Sequence, residues 1–304
     1  MAGLRLRRCV LAVPASSAKM AAKASALDVD QVMLDLEDAI APAAKPDARK
    51  QVIDSVNTLD WSGKILSVRV NDVTTEWFER DVIDVVAAAG SNIQTIVLPK
   101  VERPSDVRTL ALMLSRVERE QGFERRIGIE PQIESALGLT SVESIAAAHE
   151  RIESLTFGPA DFAASIGSPT LTIGGHRLEY PGHVWHYALS RIVVAAKAFG
   201  LMAIDGPFGA LRDPQGLSES ASMARALGCD GKWAIHPDQI ELITLAFTPS
   251  DEEIARAKRI SERYAGASQS GGTGAVSYES ELVDAVSVRL AESMLKRSPK
   301  SPDA

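Results

Sequence analysis

The sequence predicts a closed (β/α)8 barrel with a C-terminal helical extension, and three observations carry that expectation. Eight short apolar runs of strand length recur along the chain. The stretches between them space their apolar residues by three to four, as amphipathic helices do. The eight strand-helix units occupy roughly 245 residues, the usual size of such a barrel. Strand-then-helix repetition requires parallel strands, and nearly all-apolar strands suit a sheet covered on both faces. An open, doubly wound sheet is the alternative. It would carry a glycine-rich phosphate or dinucleotide turn, and neither GxGxxG nor GxxxxGK[ST] occurs.

In chain order the strands are "CVLAVP" from Cys9, "QVMLDLE" from Gln31, "ILSVRVN" from Ile65, "TIVLPKV" from Thr95, "IGIEPQIE" from Ile127, "SLTFGPAD" from Ser154, "LMAIDGPF" from Leu201 and "GKWAIHP" from Gly231. The clearest helical patterns between them are Pro46 to Leu59, Glu76 to Ala89 and Pro104 to Gln121. The opening "MAGLRLRRCVLAVPASSA" shares the basic start and apolar run of a secretory signal. Its apolar part, Cys9 to Ala15, is at the short end for that role and reads better as a first strand leading into a helix. The barrel is expected over residues 1–247. Beyond Phe247, "TPSDEEIARAKRISERYAGA" reads as a charged helix opened by Thr248 or Ser250. A glycine-rich linker, "SQSGGTGA", and a last helix from about Glu279 to Lys296 follow. Residues 248–304 therefore form an extension, either a subunit-contact element or a lid.

Bulk properties narrow the function. With 304 residues, 45% of them hydrophobic, the chain can bury a full core. A formal net charge of -7 disfavours nucleic acid as a partner. The local basic group Arg5, Arg7, Arg8, Lys19 and Lys23 suffices for a small phosphorylated ligand. Cys9 and Cys229 stand alone, outside any CxxC pair, which points to a reducing, cytoplasmic compartment. No apolar stretch reaches the roughly 18 residues of a membrane span.

Polar residues collect at the ends of the apolar runs: Glu37 and Asp38, Arg69 and Asn71, Lys100, Glu134, Asp161, Asp205 and His236. In a barrel these ends share one mouth, where active sites of this architecture are built. A lone strand-end acid is more often a helix cap than a ligand; the ensemble is what points to a site. Two or three carboxylates without a Cys or His cluster suit a hard, oxygen-preferring cation such as Mg2+. His183 and His186, i and i+3 beside Trp185, lack a third zinc ligand, and no GxSxG elbow is present. Several residues have two readings. Arg69 either grips substrate or pairs with Glu37; Lys100 is a structural ion pair or a site residue; Asp205 touches substrate or orients neighbours. Trp185 and Phe208 fit core or an acyl-CoA surface, and His236 and Pro237 shape the last turn.

The segments "VMLDLEDAIAPAAKPDAR", "SVRVN", "VLPKV", "IESALGL", "FGPADFAASIG", "AIDGPFG" and "GKWAIHPDQI", in this order, resemble the citrate lyase β-subunit-like branch of the HpcH/HpaI aldolase superfamily. The likeness is strongest to malyl-CoA lyases and runs from about Arg8 to Leu295. It implies a Mg2+-dependent TIM barrel, with Mn2+ as a substitute, assembled as a homotrimer or homohexamer. The implied substrates are a CoA thioester and a 2-oxo acid. The reaction makes or breaks the carbon-carbon bond of L-malyl-CoA (glyoxylate and acetyl-CoA) or β-methylmalyl-CoA (glyoxylate and propionyl-CoA). By motif, Glu134 and Asp161 match the metal ligands, and Arg69 matches the arginine that grips the substrate carboxylate. Glu37 and Asp38 match the pair that organises water at the metal and nearby hydrogen bonds. Lys23, with the Pro14 to Ser16 turn, matches the CoA-binding edge, and Asp284 matches an acid on a C-terminal lid supplied by a neighbouring subunit. Many relatives read "PGSR" where this chain reads "PASS", placing Ser17 at the arginine's position, with Lys19 able to compensate at the CoA phosphates. The segment "SPTLTIGGHRLEYPGHVW" is also shorter than the loop of some malyl-CoA lyases. A citramalyl-CoA lyase, a malyl-CoA thioesterase and a non-catalytic acyl-CoA-binding subunit are the competing functions.

Overall fold

A computed structural model describes residues 5–168, 173–174, 183–269, 275–278 and 281–298. It divides into a barrel unit, Arg7–Thr244, and a second unit made of the residues up to Leu6 with those from Leu245 onward.

The barrel strands are β1 (Cys9–Pro14), β2 (Gln31–Asp35), β3 (Ile65–Arg69), β4 (Thr95–Leu98), β5 (Gly128–Ile133), β6 (Ser154–Phe157), β7 (Met202–Asp205) and β8 (Gly231–Ala234). They pair in parallel and in sequence, and β8 returns to β1, closing the barrel. All eight apolar runs of the sequence are these strands. Around them lie α1 (Ala18–Ser25), α2 (Lys45–Thr58), α3 (Phe78–Ala89), α4 (Pro104–Gln121), α5 (Ala136–Thr140), α6 (Val142–Ala146), α7 (Pro159–Ser165), α8 (His186–Ala198), α9 (Pro214–Leu227) and α10 (Ile240–Phe247). Helix starts follow local chemistry. Ser17 caps α1 by accepting from the Met20 amide at 3.3 Å, and Asp213 caps α9 through Gly216 at 2.9 Å. The Ser17 hydroxyl is thus committed to a helix start.

Alternation along the strands layers the barrel interior. Gln31, Met33 and Asp35 point inward in turn from β2. The lowest layer is polar. Gln31 Nε2 donates to Ser67 Oγ and Glu130 Oε1, both at 2.9 Å, while Thr95 Oγ1 and Ser154 Oγ donate to the two Glu130 oxygens at 2.5 and 3.0 Å. Above it, Val10, Met33, Val97, Met202, Ile204 and Trp233 form an apolar plug. The next inward positions, Ala12, Asp35, Arg69 and Gln132, open onto the mouth. The plug separates the polar layer below it from the charged mouth above.

In the second unit, Ser250 and Glu253 cap α11 (Asp251–Gln269) reciprocally, amide to side chain at 2.8 and 3.1 Å, so the helix begins at Ser250's cap rather than at Thr248. The expected last helix starts later than Glu279, and most of the expected linker lies outside the described residues. Residues 270–274 and 279–280 lie outside the described residues. β9 (Ala275–Tyr278) and β10 (Glu281–Asp284) pair antiparallel, with Val276 opposite Val283, and α12 begins only at Ala285. Asp284, a strong cap, sets the helix start after the pair. No described helix is long and apolar enough to cross a membrane.

Candidate active site

A cavity of about 350 Å³ occupies the C-terminal mouth of the barrel. Asp35, Asp38, Arg69, Gln132, Glu134 and Asp161 give it a polar side; Ala12, Val13, Pro14, Ile173, Trp233 and Ile235 are among its apolar wall. The turn after β2, which delivers Glu37 and Asp38, is held from behind by a buried cation. Lys45 Nζ, from α2, donates to the carbonyls of Leu36 and Glu37, both at 3.0 Å, and to Asn71 Oδ1 at 2.6 Å. Asn71 Nδ2 donates in turn to the fully buried Asp81 at 2.5 Å. Carbonyls left over at a strand end are thereby satisfied without water.

Arg69 ends β3 with its guanidinium buried. Nε and Nη2 each donate to one oxygen of Asp35 at 2.7 Å, a bidentate fork, while Nη1 lies 3.0 Å from Glu37 Oε2. The guanidinium carbon stacks 5.5 Å from the Trp233 ring centre. Burial works against the charge, but Asp35, then Glu37, more than offset it and raise the guanidinium's already high pKa. The Arg69–Glu37 pair read from the sequence is present, yet the principal partner is Asp35. Asp35 belongs to the acids that close the strand in "LDLED", but its fork to Arg69 is not part of the motif, and Trp233 is not singled out by the sequence; strand parity, in step with Met33 on one strand and Ile235 on the other, is the signal available.

Glu134 follows β5. Its Oε1 accepts from the Lys100 amide at 2.6 Å and its Oε2 from Gln132 Nε2 at 2.6 Å. A Cβ on Gly158, at the β6–α7 turn, would collide with this carboxylate, so the turn can come close only as glycine. Asp161, in the first turn of α7, lines the same cavity. Burial pushes the Glu134 carboxyl up to about 8, with the charges of Asp161 and Glu37 adding to it. A buried carboxyl raised further by a neighbouring acid's charge is what a cation relieves. Among the described residues no group of three or more Asp, Glu, His or Cys could cage a metal. The oxygen-only pair Glu134 and Asp161 nevertheless fits Mg2+, which usually takes one or two carboxylates and keeps waters.

Lys100 Nζ bonds the Glu37 carboxylate and lies 3.4 Å from Asp38 Oδ1. Burial raises the Glu37 carboxyl against the pull of Arg69 and Lys100. For Asp38, burial works the same way but loses to Arg69 and Lys100, which hold it below the usual carboxylate range.

Other expected site residues lie elsewhere. Asp205 does not join the cavity. Ile204 faces the barrel interior, so its neighbour faces the helical layer, where Asp205 Oδ2 accepts from buried Lys232 at 2.5 Å. It forms a buried pair with Lys232 and is not among the residues that line the cavity. Pro14 lines the cavity, while Ser16, Lys19 and Lys23 are exposed on the β1–α1 turn and α1, outside its wall. Asp284 belongs to the second unit, where it caps α12 by accepting from the amides of Val286 and Ser287 at 2.9 and 3.0 Å. The Ser287 amide foremost holds it below the usual carboxylate range. Trp185 is core, with its ring 5.9 Å from Phe157 and 6.2 Å from Phe162, and Phe208 is buried as well. His183 precedes α8 and accepts from the Trp185 amide at 3.1 Å, whereas His186 opens the helix, so the two do not share a helix face. His236 accepts from the Asp238 amide at 3.3 Å and shapes the last turn, as expected. In the segment from Ser168 to Trp185, residues 169–172 and 175–182 lie outside the described residues.

Comparison with known proteins agrees with this arrangement. A family model described as HpcH/HpaI aldolase/citrate lyase matches residues 8–237. An L-malyl-CoA/β-methylmalyl-CoA lyase of Cereibacter sphaeroides is 39% identical over 303 residues, covering 97% of this chain and 95% of that protein. A malyl-CoA/β-methylmalyl-CoA/citramalyl-CoA lyase of Chloroflexus aurantiacus is 33% identical over 297 residues, covering 90% and 84%. Among solved structures, the protein CitE of Mycobacterium tuberculosis in complex with magnesium, acetoacetate and coenzyme A superimposes with a TM-score of 0.77 at 31% identity, covering 97% of this chain and 99% of that one.

Proposed function

The chain belongs to the HpcH/HpaI aldolase/citrate lyase family, and from that premise we propose that it is a Mg2+-dependent lyase of L-malyl-CoA and β-methylmalyl-CoA. Carbon-carbon lyase chemistry is common to the family's named members; the substrate and the metal are this proposal's content. One observation carries it: two acids from neighbouring strand ends, Glu134 and Asp161, line a single cavity beside the Arg69 guanidinium. A cation site next to a carboxylate grip is what an α-hydroxy or α-oxo acid requires.

Glu134 and Asp161 would hold Mg2+, which when bound supplies a Lewis acid for the substrate's carboxylate and its hydroxyl or carbonyl oxygen. Arg69 orients that carboxylate. Asp35 occupies the Nε and Nη2 edge, so Nη1, which now faces Gln132 and Glu37, is the donor for which a substrate carboxylate would compete. The Asp35 fork and the Trp233 ring keep the guanidinium plane from swinging. In cleavage, the bond between the hydroxyl-bearing carbon and the carbon α to the thioester breaks. The hydroxyl loses its proton to leave glyoxylate, and the electron pair passes to the thioester enolate, which takes a proton on carbon to give acetyl-CoA or propionyl-CoA. In condensation a base removes that proton, and Asp284 fills this role, on a lid shared between subunits of a trimer or hexamer. Lys19 and Lys23 supply charge for the CoA phosphates outside the cavity. The two free, buried thiols, Cys9 and Cys229, support a reducing, cytoplasmic setting.

Purified protein given malyl-CoA with and without Mg2+, then with Mn2+, tests the reading by release of glyoxylate and acetyl-CoA. Activity that survives thorough chelation removes the metal from it. The Chloroflexus relative's name adds citramalyl-CoA, so pyruvate is followed in a parallel assay; one extra methyl is worth only about 1–3 kcal/mol of discrimination. Free malate would identify a thioesterase instead.

Asp284→Asn is expected to lose roughly 10²-fold or more in turnover while leaving the melting temperature unchanged. Asparagine caps a helix as well as aspartate does, so α12 keeps its start and only the basic oxygen is lost. Turnover equal to wild type would take Asp284 out of the mechanism.

A further inference from the structure

Lys100 is, among the described residues, the one non-glycine residue with positive φ, at 51°. A Cβ disfavours that conformation, and residues held in it concentrate at functional sites. Here it does two things at once. It aims the Lys100 amide at Glu134 Oε1, 2.6 Å away, and it turns the side chain across the mouth so that the ammonium bonds Glu37 Oε1, with Asp38 Oδ1 at 3.4 Å.

Glu37 is a shared anion. Its Oε1 belongs to Lys100, and its Oε2 lies 3.0 Å from Arg69 Nη1. Asp35 takes Nε and one hydrogen of Nη2, and Nη1 faces both Gln132 Oε1 at 3.4 Å and Glu37 Oε2 at 3.0 Å, so an incoming carboxylate that used Nη1 would meet Glu37 as the charged competitor already there. How hard Glu37 competes depends on how much of its charge Lys100 takes up. With the ammonium gone, the Asp38 amide, which donates to Glu37 Oε2 at 3.2 Å, remains, and Arg69 is the cation left facing that charge. The ammonium is engaged by two carboxylates, which also makes it a poor ligand for a CoA phosphate.

We propose that Lys100 is a positioning residue that draws Glu37 away from Arg69 Nη1 and so opens that donor to the carboxylate of a 2-oxo acid. The proposal rests on the lyase reading for the nature of the ligand. Its two halves are separable, because the bond to Glu134 comes from the backbone and survives loss of the side chain.

The full-length protein in Mg2+ is titrated calorimetrically with glyoxylate and, separately, with CoA; Mn2+ binding is followed by electron paramagnetic resonance. Lys100→Met is expected to bind glyoxylate about tenfold more weakly, the size of a coupling between contacting residues. Mn2+ and CoA affinities stay within about twofold, as for groups not sharing the broken contact. In condensation, KM for glyoxylate rises more than kcat falls. Lys100→Arg, which keeps a cation, recovers most of the affinity. Lys100→Gly, which accepts the backbone conformation without strain, loses as much as the methionine variant and guards against misfolding.

Unchanged glyoxylate affinity in Lys100→Met overturns the proposal. So does a loss that falls on CoA instead, or a glycine variant as tight as wild type, which would make strain and not charge the cause. A wild-type protein that binds neither Mn2+ nor glyoxylate brings down the lyase reading and this inference with it. A wild-type protein that binds both, beside a methionine variant that binds equally well, brings down the inference alone.

Discussion

Glu134→Gln is expected to lower turnover by roughly 10³-fold, the loss that follows when a Lewis acid worth several kcal/mol is no longer held. The same change is expected to abolish stabilisation of the fold by Mg2+. Glutamine is nearly isosteric, so the bond from the Lys100 amide and the close approach of Gly158 can persist, and the loss reports on charge. The pH dependence gives a second signature. In the metal-free protein the Glu134 carboxyl is raised from its ordinary 4.5 to about 8, chiefly by burial and then by Asp161 and Glu37. A raised carboxyl holds its proton more tightly folded than unfolded. Its contribution is therefore full below the unfolded value and is lost as pH rises through about 8. Metal-free wild type should lose melting temperature across that window relative to Glu134→Gln, and Mg2+ should restore it by binding the folded state. Because the proton must leave before a cation is held, Mg2+ affinity should climb over the same range. Parallel melting curves for the two proteins, with and without Mg2+, would show no such difference if Glu134 lay outside the site.

Much of this site was written in the chain, but unevenly. The eight strands were legible because a strand covered on both faces must be apolar, and so the first polar residue at its end marks the mouth. Glu37, Asp38, Arg69, Lys100 and Glu134 were found that way, and all five now sit in one network. Asp205, placed at the mouth by the same rule with two readings open, stands off the cavity lining. A strand end has two faces, and the rule does not say which side of the barrel wall the side chain takes; Ile204 occupies the inward position, so Asp205 pairs with Lys232 behind it. Trp233 shows the converse: it lies within an apolar run with no polar residue to mark it, although parity with Ile235 puts it inside. Asp35 is legible as a rim acid of "LDLED", but its pairing with Arg69 needs the register of two strands and is not written in either motif. The hairpin before α12 was hidden for another reason. Four-residue strands beside a glycine-rich stretch carry too little pattern to compete with a helical reading. Lys100's left-handed backbone has no sequence signature, since only the closed barrel forces the chain after β4 to reach Glu134 and Glu37 together.

Arg69 bears both on the fold and on the proposed chemistry, and variants at it should separate the two. Arg69→Met removes the partner of two buried acids, Asp35 and Glu37, and is expected to cost about 3–5 kcal/mol, read as a lowered urea midpoint with an unchanged slope. Arg69→Lys keeps a cation and should restore much of that stability. A single ammonium cannot present three nitrogens in one plane, however. Held by Asp35, it has no second edge for a substrate carboxylate, and it cannot stack flat on Trp233. Arg69→Lys is therefore expected to fold and yet lose about 10²-fold or more in kcat/KM, the scale on which a misplaced positioning group acts. Combining Arg69→Met with Asp35→Asn closes a double-mutant cycle. Neutralising Asp35 should return part of the stability, because the uncompensated charge is what made the single change expensive, while activity stays lost. If Arg69→Lys turned over at the wild-type rate, the fork would be serving the fold alone, and the carboxylate grip would have to be sought among the other groups of the mouth.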